Sequence, residues 1–199
     1  MVCVRALNTI CVFCGSNFGV KPSYRSAAAD LGELLAAKGL TLVYGGGCVG
    51  LMGTLADAAL GASGQVIGVI PGALVAKEVS HYGLSKLHIV DSMHERKALM
   101  ASLSDAFIAL PGGCGTADEL FEILTWAQLG IHQKPVGLLN VDGFFDPLLE
   151  WLDHAAREGF VHPEHRRLLL DDANPNQLLA RLSAYHAPAV EKWLDGAKS

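Results

Sequence analysis

The chain has 199 residues, of which 51% are apolar and 18% are charged, and its formal net charge is −5. This length and apolar content predict one domain over residues 1–199, with a substantial core. A negatively charged chain without a basic stripe is not expected to bind nucleic acid. No uninterrupted apolar segment approaches the roughly 20 residues of a membrane span, and the N-terminus lacks a signal-peptide layout. We therefore expect a cytoplasmic protein that contacts no membrane.

Strand-like and helix-like segments alternate along the chain. The predicted strands cover residues 9–14, 40–44, 65–70, 86–90, 105–110 and 135–139. The predicted helices cover residues 22–38, about 50–62, 92–103, 116–129 and 144–158, and the tail from about residue 160 is predicted to be helical. Strands separated by helices of this length imply an α/β fold with a doubly wound parallel sheet, covered by helices on both faces.

Three of the predicted strands end in glycine-bearing loops, at residues 15–16, 45–47 and 112–115. In parallel sheets, ligands bind at the carboxyl ends of the strands, beside a topological switch point. We therefore expect these three loops to line one crevice.

The segment 111–119 is the most informative one in the sequence. It reads Pro-Gly-Gly-Cys-Gly-Thr-Ala-Asp-Glu and joins a predicted strand to a predicted helix. Its glycines and a Thr116 cap would leave bare backbone N–H groups at the helix N-terminus, an arrangement that binds phosphate. Glu119 borders the apolar face of that helix, where a carboxylate can become a tuned acid or base. Acids in a first helical turn also favour the helix dipole, but this explanation suits Asp118 better than Glu119. Together, the anion cradle and the acid indicate chemistry on a phosphorylated substrate.

A second glycine-rich loop, residues 45–53, partly matches a dinucleotide-binding fingerprint. Gly45, Gly47 and Gly50 have the GxGxxG spacing after a predicted strand, but the acid expected about 20 residues further on is missing. An NAD-dependent oxidoreductase is therefore disfavoured. The alternative is that these glycines only permit a tight turn between strand and helix.

Arg96 is unexpected among apolar neighbours. On the helix 92–103 it shares one face with Met93, Leu99, Met100 and Leu103, and Lys97 falls at the edge of that face. A buried guanidinium without an anionic partner is costly, so Arg96 should meet a carboxylate or a bound phosphate. The alternative to a functional role is a core arginine paired with an internal acid.

The cysteines and histidines do not predict a metal site. Cys11 and Cys14 have the spacing of a redox or zinc pair, but residues three apart on a strand point to opposite faces. The histidines show no helical pair of zinc ligands, and Ser16 lacks the context of a hydrolase nucleophile. We expect reduced structural thiols, no metal ion and no cofactor.

Several of these segments together resemble the Lonely Guy family of cytokinin riboside 5′-monophosphate phosphoribohydrolases, which are often mislabelled as lysine decarboxylases. The segments that carry the resemblance are residues 12–16, 45–53, 93–97, 111–119 and 125–130, within a match that runs from about Thr9 to Asp146. The resemblance implies a Rossmann-like homodimer that hydrolyses the N-glycosidic bond of adenosine-type 5′-monophosphates. Its products would be a free adenine base, including N6-prenylated cytokinins, and ribose 5-phosphate. The decarboxylase label does not fit, because the chain offers no identifiable set of residues for pyridoxal phosphate.

The resemblance also implies roles for particular residues. The family's catalytic arginine and glutamate fall on Arg96 and Glu119. The implied substrate-binding residues are Ser16, Gly46, Gly47, Glu78, Lys97, Gly112, Gly113, Cys114, Gly115, Thr116 and Thr125. Cys114 stands where relatives commonly carry tyrosine, which leaves the preference between prenylated and plain AMP open. The alternative function is a non-catalytic nucleotide or molybdenum-cofactor carrier, which would need the glycine loop but not the pair of Arg96 and Glu119.

Overall fold

The computed structural model describes residues 6–75, 81 and 83–188. Within these residues the strands are β1 Thr9–Phe13, β2 Thr41–Tyr44, β3 Val66–Pro71, β4 Lys86–Val90, β5 Ala106–Ala109, β6 Val136–Leu139 and β7 Leu169–Asp172. The helices are α1 Pro22–Ala37, α2 Gly50–Gly61, α3 Gly72–Val75, α4 Met93–Leu103, α5 Cys114–Gln128, α6 Asp146–Arg157, α7 Pro163–Arg166 and α8 Pro175–Ser183. The first six strands confirm the predicted strands to within a few residues at each end.

All seven strands are parallel and form one sheet in the order β4-β3-β2-β1-β5-β6-β7. The chain builds outward from β1 to β4, returns through α4, and then builds outward in the other direction from β5 to β7. This confirms the predicted doubly wound α/β fold. The topological switch point lies between β1 and β5, which pair in register from Ile10 with Ala106 to Phe13 with Ala109.

Alternate residues of the strands point to opposite faces of the sheet, and an apolar core lies on each face. Cys11 packs with Phe107 in the core beneath α4 and α5, whereas Cys14 packs with Leu51 in the core beneath α1 and α2. The two cysteines therefore point to opposite faces, as the spacing predicts. Burial, and then the nearby charge of Glu119, raise the pKa of the Cys11 thiol well above its usual value. The four cysteines in the described part of the chain are free thiols.

The tail is not only helical. It contains the short helices α7 and α8, but between them β7 adds an edge strand beside β6. The segment around β7, residues 168–172, is short, and buried and exposed positions do not alternate along it. It therefore lacks the pattern that predicts a strand. Leu178 and Leu182 of α8 then cover Gly137 of β6, so the tail closes one face of the sheet.

No helix in residues 6–75, 81 and 83–188 combines the length and apolar character needed to cross a membrane.

Candidate active site

A cleft opens where the loops after β1 and β5 diverge at the switch point. It has a volume of about 470 Å³. The backbone N–H of Gly15 donates to the carbonyl of Pro111 at 3.1 Å, which ties the two loops together at the base of the cleft. The predicted site residues that line it are Ser16, Arg96, Gly112, Gly113, Cys114, Gly115, Thr116 and Glu119.

The N-terminus of α5 forms one wall of this cleft. The first hydrogen bond of the helix runs from the N–H of Ala117 to the carbonyl of Gly113 at 3.0 Å. The N–H groups of Cys114, Gly115 and Thr116 therefore have no partner within the helix, which is the arrangement that binds anions. Cys114 is exposed and begins the helix.

The prediction that Thr116 caps this helix is wrong. Gly113 occupies the cap position, and Thr116 is the third helical residue, with only 5% of its surface exposed. The reason is steric, because Thr116 packs directly over Gly112. A Cβ atom on Gly112 would lie 2.1 Å from the Thr116 hydroxyl oxygen and 2.7 Å from its Cβ atom. Thr116 therefore fixes the loop through packing, and a glycine is required beneath it.

This contact predicts different outcomes for two nearby glycines. Gly112→Ala is expected to lower the free energy of unfolding by about 1–3 kcal/mol, since the added methyl group overpacks the loop. Gly115→Ala is the matched control, because a Cβ atom there meets nothing within 4 Å, and inside the helix alanine should keep the unfolding free energy or raise it by up to about 1 kcal/mol. Urea denaturation of both variants measures the difference, and equal stabilities would contradict the steric account.

Arg96 lies at the opposite wall of the cleft, with 6% of its surface exposed. Its Nε atom donates to the carbonyl of Val69 at 3.1 Å, and its Nη2 atom donates to the carbonyl of Gly45 at 3.0 Å. Nη2 also lies 4.0 Å from Oε1 of Glu119. The internal acid that a buried arginine requires is therefore Glu119 itself. The two interpretations of Arg96, an internal ion pair and a functional residue, converge on the same carboxylate.

Most of the face predicted for α4 is buried, with Met93 as the exception. Arg96 and Met100 are buried and Leu99 and Leu103 pack against the core, whereas Met93 is 41% exposed. Lys97, expected at the edge of this face, is also buried, because its ion pairs with α5 compensate a burial that hydropathy does not predict.

The loop 45–53 accommodates the Arg96 side chain. Within the described cleft it does not form a second phosphate site. A Cβ atom on Gly45 would lie 2.0 Å from Nη2 of Arg96, so only glycine admits the guanidinium here. Gly46 and Gly47 are buried and do not line the cleft, and Gly46 backs onto Ile70 of β3. These contacts favour a steric purpose for the loop over a dinucleotide fingerprint.

Glu119 lies in the second turn of α5, between the bare helix N-terminus and Arg96. Its side chain is 11% exposed and lines the cleft. Cys14 lines the same cleft. Burial and, to a smaller extent, the charge of Glu119 raise the pKa of the Cys14 thiol, so this thiol stays neutral at physiological pH. The arrangement therefore places a largely dehydrated carboxylate, held near a guanidinium, next to an anion site.

Among the described residues, Lys97 and Thr125 are expected substrate contacts that, like Gly46 and Gly47, do not line the cleft. Lys97 places its amino group 3.0 Å from Asp118 and 3.1 Å from Glu122, and it does not line the cleft. Glu122 has a side chain only 23% exposed, in keeping with this pairing. Thr125 lies in a separate groove on the outer face of α5. Glu78 lies outside the described residues.

Aromatic residues that the sequence analysis missed line the mouth of the cleft. They are Phe18, Tyr24 and Phe144. The rings of Tyr24 and Phe144 meet edge to face with centroids 5.6 Å apart, and Arg25 stacks on Phe18 at 4.9 Å. No motif marks them, because they come from a loop, a helix start and a distant turn that only the fold brings together.

No group of three or more His, Cys, Asp or Glu side chains is placed to hold a metal ion within residues 6–75, 81 and 83–188.

Comparisons with known proteins reveal relatives and a shared fold. A family model described as possible lysine decarboxylase matches residues 52–182. The cytokinin riboside 5′-monophosphate phosphoribohydrolase LOG of Oryza sativa subsp. japonica is 52% identical over 176 residues, which cover 88% of this chain and 73% of the rice protein. The Arabidopsis thaliana phosphoribohydrolase LOG3 is 50% identical over 183 residues, which cover 92% of this chain and 85% of that protein.

Solved structures extend the likeness in fold. The molybdenum cofactor binding protein from Rippkaea orientalis matches with a TM-score of 0.65 and 24% identity, covering 88% of this chain and 94% of that one. The molybdenum cofactor carrier protein from Chlamydomonas reinhardtii matches with a TM-score of 0.64 and 23% identity, covering 88% and 99%. At such identities the likeness shows a common Rossmann-like fold and nothing about the ligand.

Proposed function

This chain belongs to the family of cytokinin riboside 5′-monophosphate phosphoribohydrolases, and from that premise we propose that it hydrolyses the N-glycosidic bond of adenosine-type 5′-monophosphates. The products are a free adenine base and ribose 5-phosphate. The observation that carries the proposal is the placement of Glu119, paired with Arg96 at 4.0 Å, beside the bare N-terminus of α5 in one cleft.

The N-terminus of α5 is the proposed site of the 5′-phosphate. Gly112 to Thr116 supply backbone N–H groups and one hydroxyl, and Ser16 lines the same cleft. The helix dipole adds a favourable charge interaction with a dianion. A phosphate fixed there leaves the sugar to extend along the cleft toward Glu119.

Glu119 is the proposed catalytic carboxylate. It orients a water molecule toward C1′ and takes its proton as the water oxygen adds, or it stabilises the cationic sugar that develops as the bond stretches. The electron pair of the C1′–N bond departs with the base, which is then protonated. Arg96, fixed by two backbone carbonyls, holds the Glu119 carboxylate in place.

A carrier function is the alternative, since carriers of the molybdenum cofactor share the fold. A carrier needs the anion site but not a buried carboxylate beside it. The pair of Arg96 and Glu119 therefore favours the enzyme.

We also propose a homodimer, one domain and a cytoplasmic location. The outer groove of α5 supports the dimer, because Phe121, Thr125 and Trp126 line it. Trp151 extends this surface, as it is 54% exposed and packs edge to face on Phe121.

The phosphate requirement tests the proposal. The kcat/KM for AMP is expected to exceed that for adenosine by about 10³-fold or more, because binding energy from the remote phosphate is used at the reacting bond. Release of free adenine from both compounds, followed by chromatography, measures the ratio. Comparable rates for the two substrates would contradict the assigned phosphate site.

A further inference from the structure

The aromatic residues at the mouth of the cleft take no part in the chemistry proposed above. We propose that the ring of Phe144 stacks on the adenine base of the substrate, and that the turn of residues 140–146 holds the ring in this position. The inference rests on the proposed function, since it concerns how the same substrate is bound. It adds a base-binding residue, Phe144, and a positioning residue, Asp142.

The three parts of the nucleotide need three kinds of surface in the cleft. The backbone N–H groups of residues 114–116 suit the phosphate, and the carboxylate of Glu119 suits the reacting carbon of the sugar. The base has flat faces, which stack on aromatic rings whatever the base is. Phe144 lines the same cleft and is 38% exposed, so its ring is accessible to a bound base. Phe18, another exposed ring at the mouth, is already stacked with Arg25.

The ring of Phe144 is supported by one buried ring from each core. It meets Tyr24 edge to face with centroids 5.6 Å apart, and it meets Phe145 edge to face with centroids 5.0 Å apart. Tyr24 belongs to the core beneath α1 and α2, whereas Phe145 belongs to the core on the other face of the sheet. Edge-to-face contacts between aromatic rings are favourable. They therefore restrain the Phe144 ring at the mouth of the cleft.

The backbone that carries Phe144 adopts an unusual conformation. Asp142 has a φ of 52° and a ψ of 30°, and Gly143 follows with a φ of 71°. The left-handed region costs energy for a residue with a Cβ atom, although aspartate enters it more readily than most residues. Asn140 closes the turn, since its side-chain oxygen accepts a hydrogen bond from the N–H of Phe145 at 2.8 Å. Strain of this kind concentrates at functional sites and persists only where surrounding contacts impose it.

Asp142 ties this turn to the start of α1. Its carboxylate accepts a hydrogen bond from the Ser23 hydroxyl at 2.6 Å, and the amino group of Lys21 lies 3.8 Å from the same oxygen. The side chains of Lys21 and Asp142 are about half exposed, so water screens the ion pair and the hydrogen bond is the contact that matters here. Ser23 precedes Tyr24, and Asp142 lies two residues before Phe144. The hydrogen bond and the ring contact therefore join the same two segments.

Removal of the ring tests whether it binds the base. We expect Phe144→Ala to raise KM for AMP by about 10-fold and to leave kcat within about threefold, since stacking holds substrate and transition state alike. The inhibition constant of adenine should rise by a similar factor, whereas that of ribose 5-phosphate, which lacks the base, should stay within about twofold. Phe160→Ala is the matched control, because that ring is 87% exposed and does not line the cleft, and it should leave all these constants unchanged.

Two substitutions of Asp142 test the positioning role. Asp142→Asn keeps an oxygen that can accept from Ser23 and tolerates the left-handed conformation, so KM for AMP should stay within about twofold of the wild type. Asp142→Ala loses both features and should raise this KM by about fivefold with kcat unchanged. In the Phe144→Ala background the same change should cost less than about twofold further, because the ring that it displaces is already absent. If Asp142→Ala does not fold, Ser23→Ala removes the hydrogen bond from the other segment and should raise KM in the same direction.

Each set of variants has results that overturn the inference. Equal losses of affinity for AMP and for ribose 5-phosphate in Phe144→Ala would show that the ring supports the whole cleft, and no loss for either would show that it does not touch the base. An Asp142→Asn protein as poor as Asp142→Ala would remove the positioning role. So would an Asp142→Ala protein with the wild-type KM, or an effect that persists in full without the Phe144 ring.

Calorimetry separates this inference from the proposed function. Absence of base release by the wild type would refute the hydrolase, and titration of AMP and ribose 5-phosphate into the same variants would then replace the kinetic constants. Weakened binding of AMP alone in Phe144→Ala would support the base site even without hydrolysis. Unchanged binding of AMP would overturn the inference.

Discussion

Replacing Glu119 with glutamine is expected to lower kcat for release of adenine from AMP by about 10³-fold, with KM changed less than about threefold. Glutamine keeps the shape and hydrogen-bonding capacity of the side chain but can neither accept the proton of water nor offset positive charge on the sugar. The α5 N-terminus is untouched, so the phosphate should still bind. Single-turnover kinetics and AMP titration together measure both effects.

A matched control for this variant is Glu33→Gln, which removes one carboxylate from the exposed face of α1. It should leave both kinetic constants within about twofold of the wild type. A Glu119→Gln enzyme that retains more than a tenth of the wild-type kcat would remove Glu119 from the chemistry.

Arg96 is expected to affect catalysis through its ion pair with Glu119. Arg96→Met should lower kcat/KM for AMP by about 10²–10³-fold, since Glu119 loses the cation that holds it. It should also destabilise the protein by about 3 kcal/mol, because the carbonyls of Gly45 and Val69 lose their buried donor. Arg96→Lys should not restore activity, because an ammonium group lacks the planar fork that reaches both carbonyls.

Double substitution distinguishes a shared role from two separate ones. In a Glu119→Gln background, Arg96→Met is expected to cost less than about fivefold further in kcat, since groups that act as one unit are not additive. A full additional loss of 10²-fold would show that Arg96 acts on the substrate independently of Glu119.

Much of the fold follows from the sequence because buried parallel strands and amphipathic helices leave strong patterns. The loops after β1 and β5 meet at the switch point as predicted, since Gly15 and Pro111 follow strands that the topology makes neighbours. The strand β7 was missed because an edge strand of four residues, half-exposed, carries little periodic signal.

The site residues could be predicted where the chemistry requires a particular residue type, but less well where packing determines the position of a side chain. A buried arginine requires an anion, and this requirement predicts that Arg96 lies close to a carboxylate. The position of Thr116 was predicted wrongly because cap preference favours threonine, whereas here packing over Gly112 draws it into the helix. The burial of Lys97 depends on acids from another helix, and their proximity is a property of the fold alone.

The most direct test of the central claim identifies the products formed from AMP and from isopentenyladenosine monophosphate in the presence of a chelator. Equimolar free base and ribose 5-phosphate from at least one substrate is the result that the Glu119 mechanism predicts. The faster of the two substrates then establishes whether the enzyme prefers cytokinin precursors. Nucleoside with inorganic phosphate as the products, or nucleotide recovered intact after long incubation, would contradict the claim.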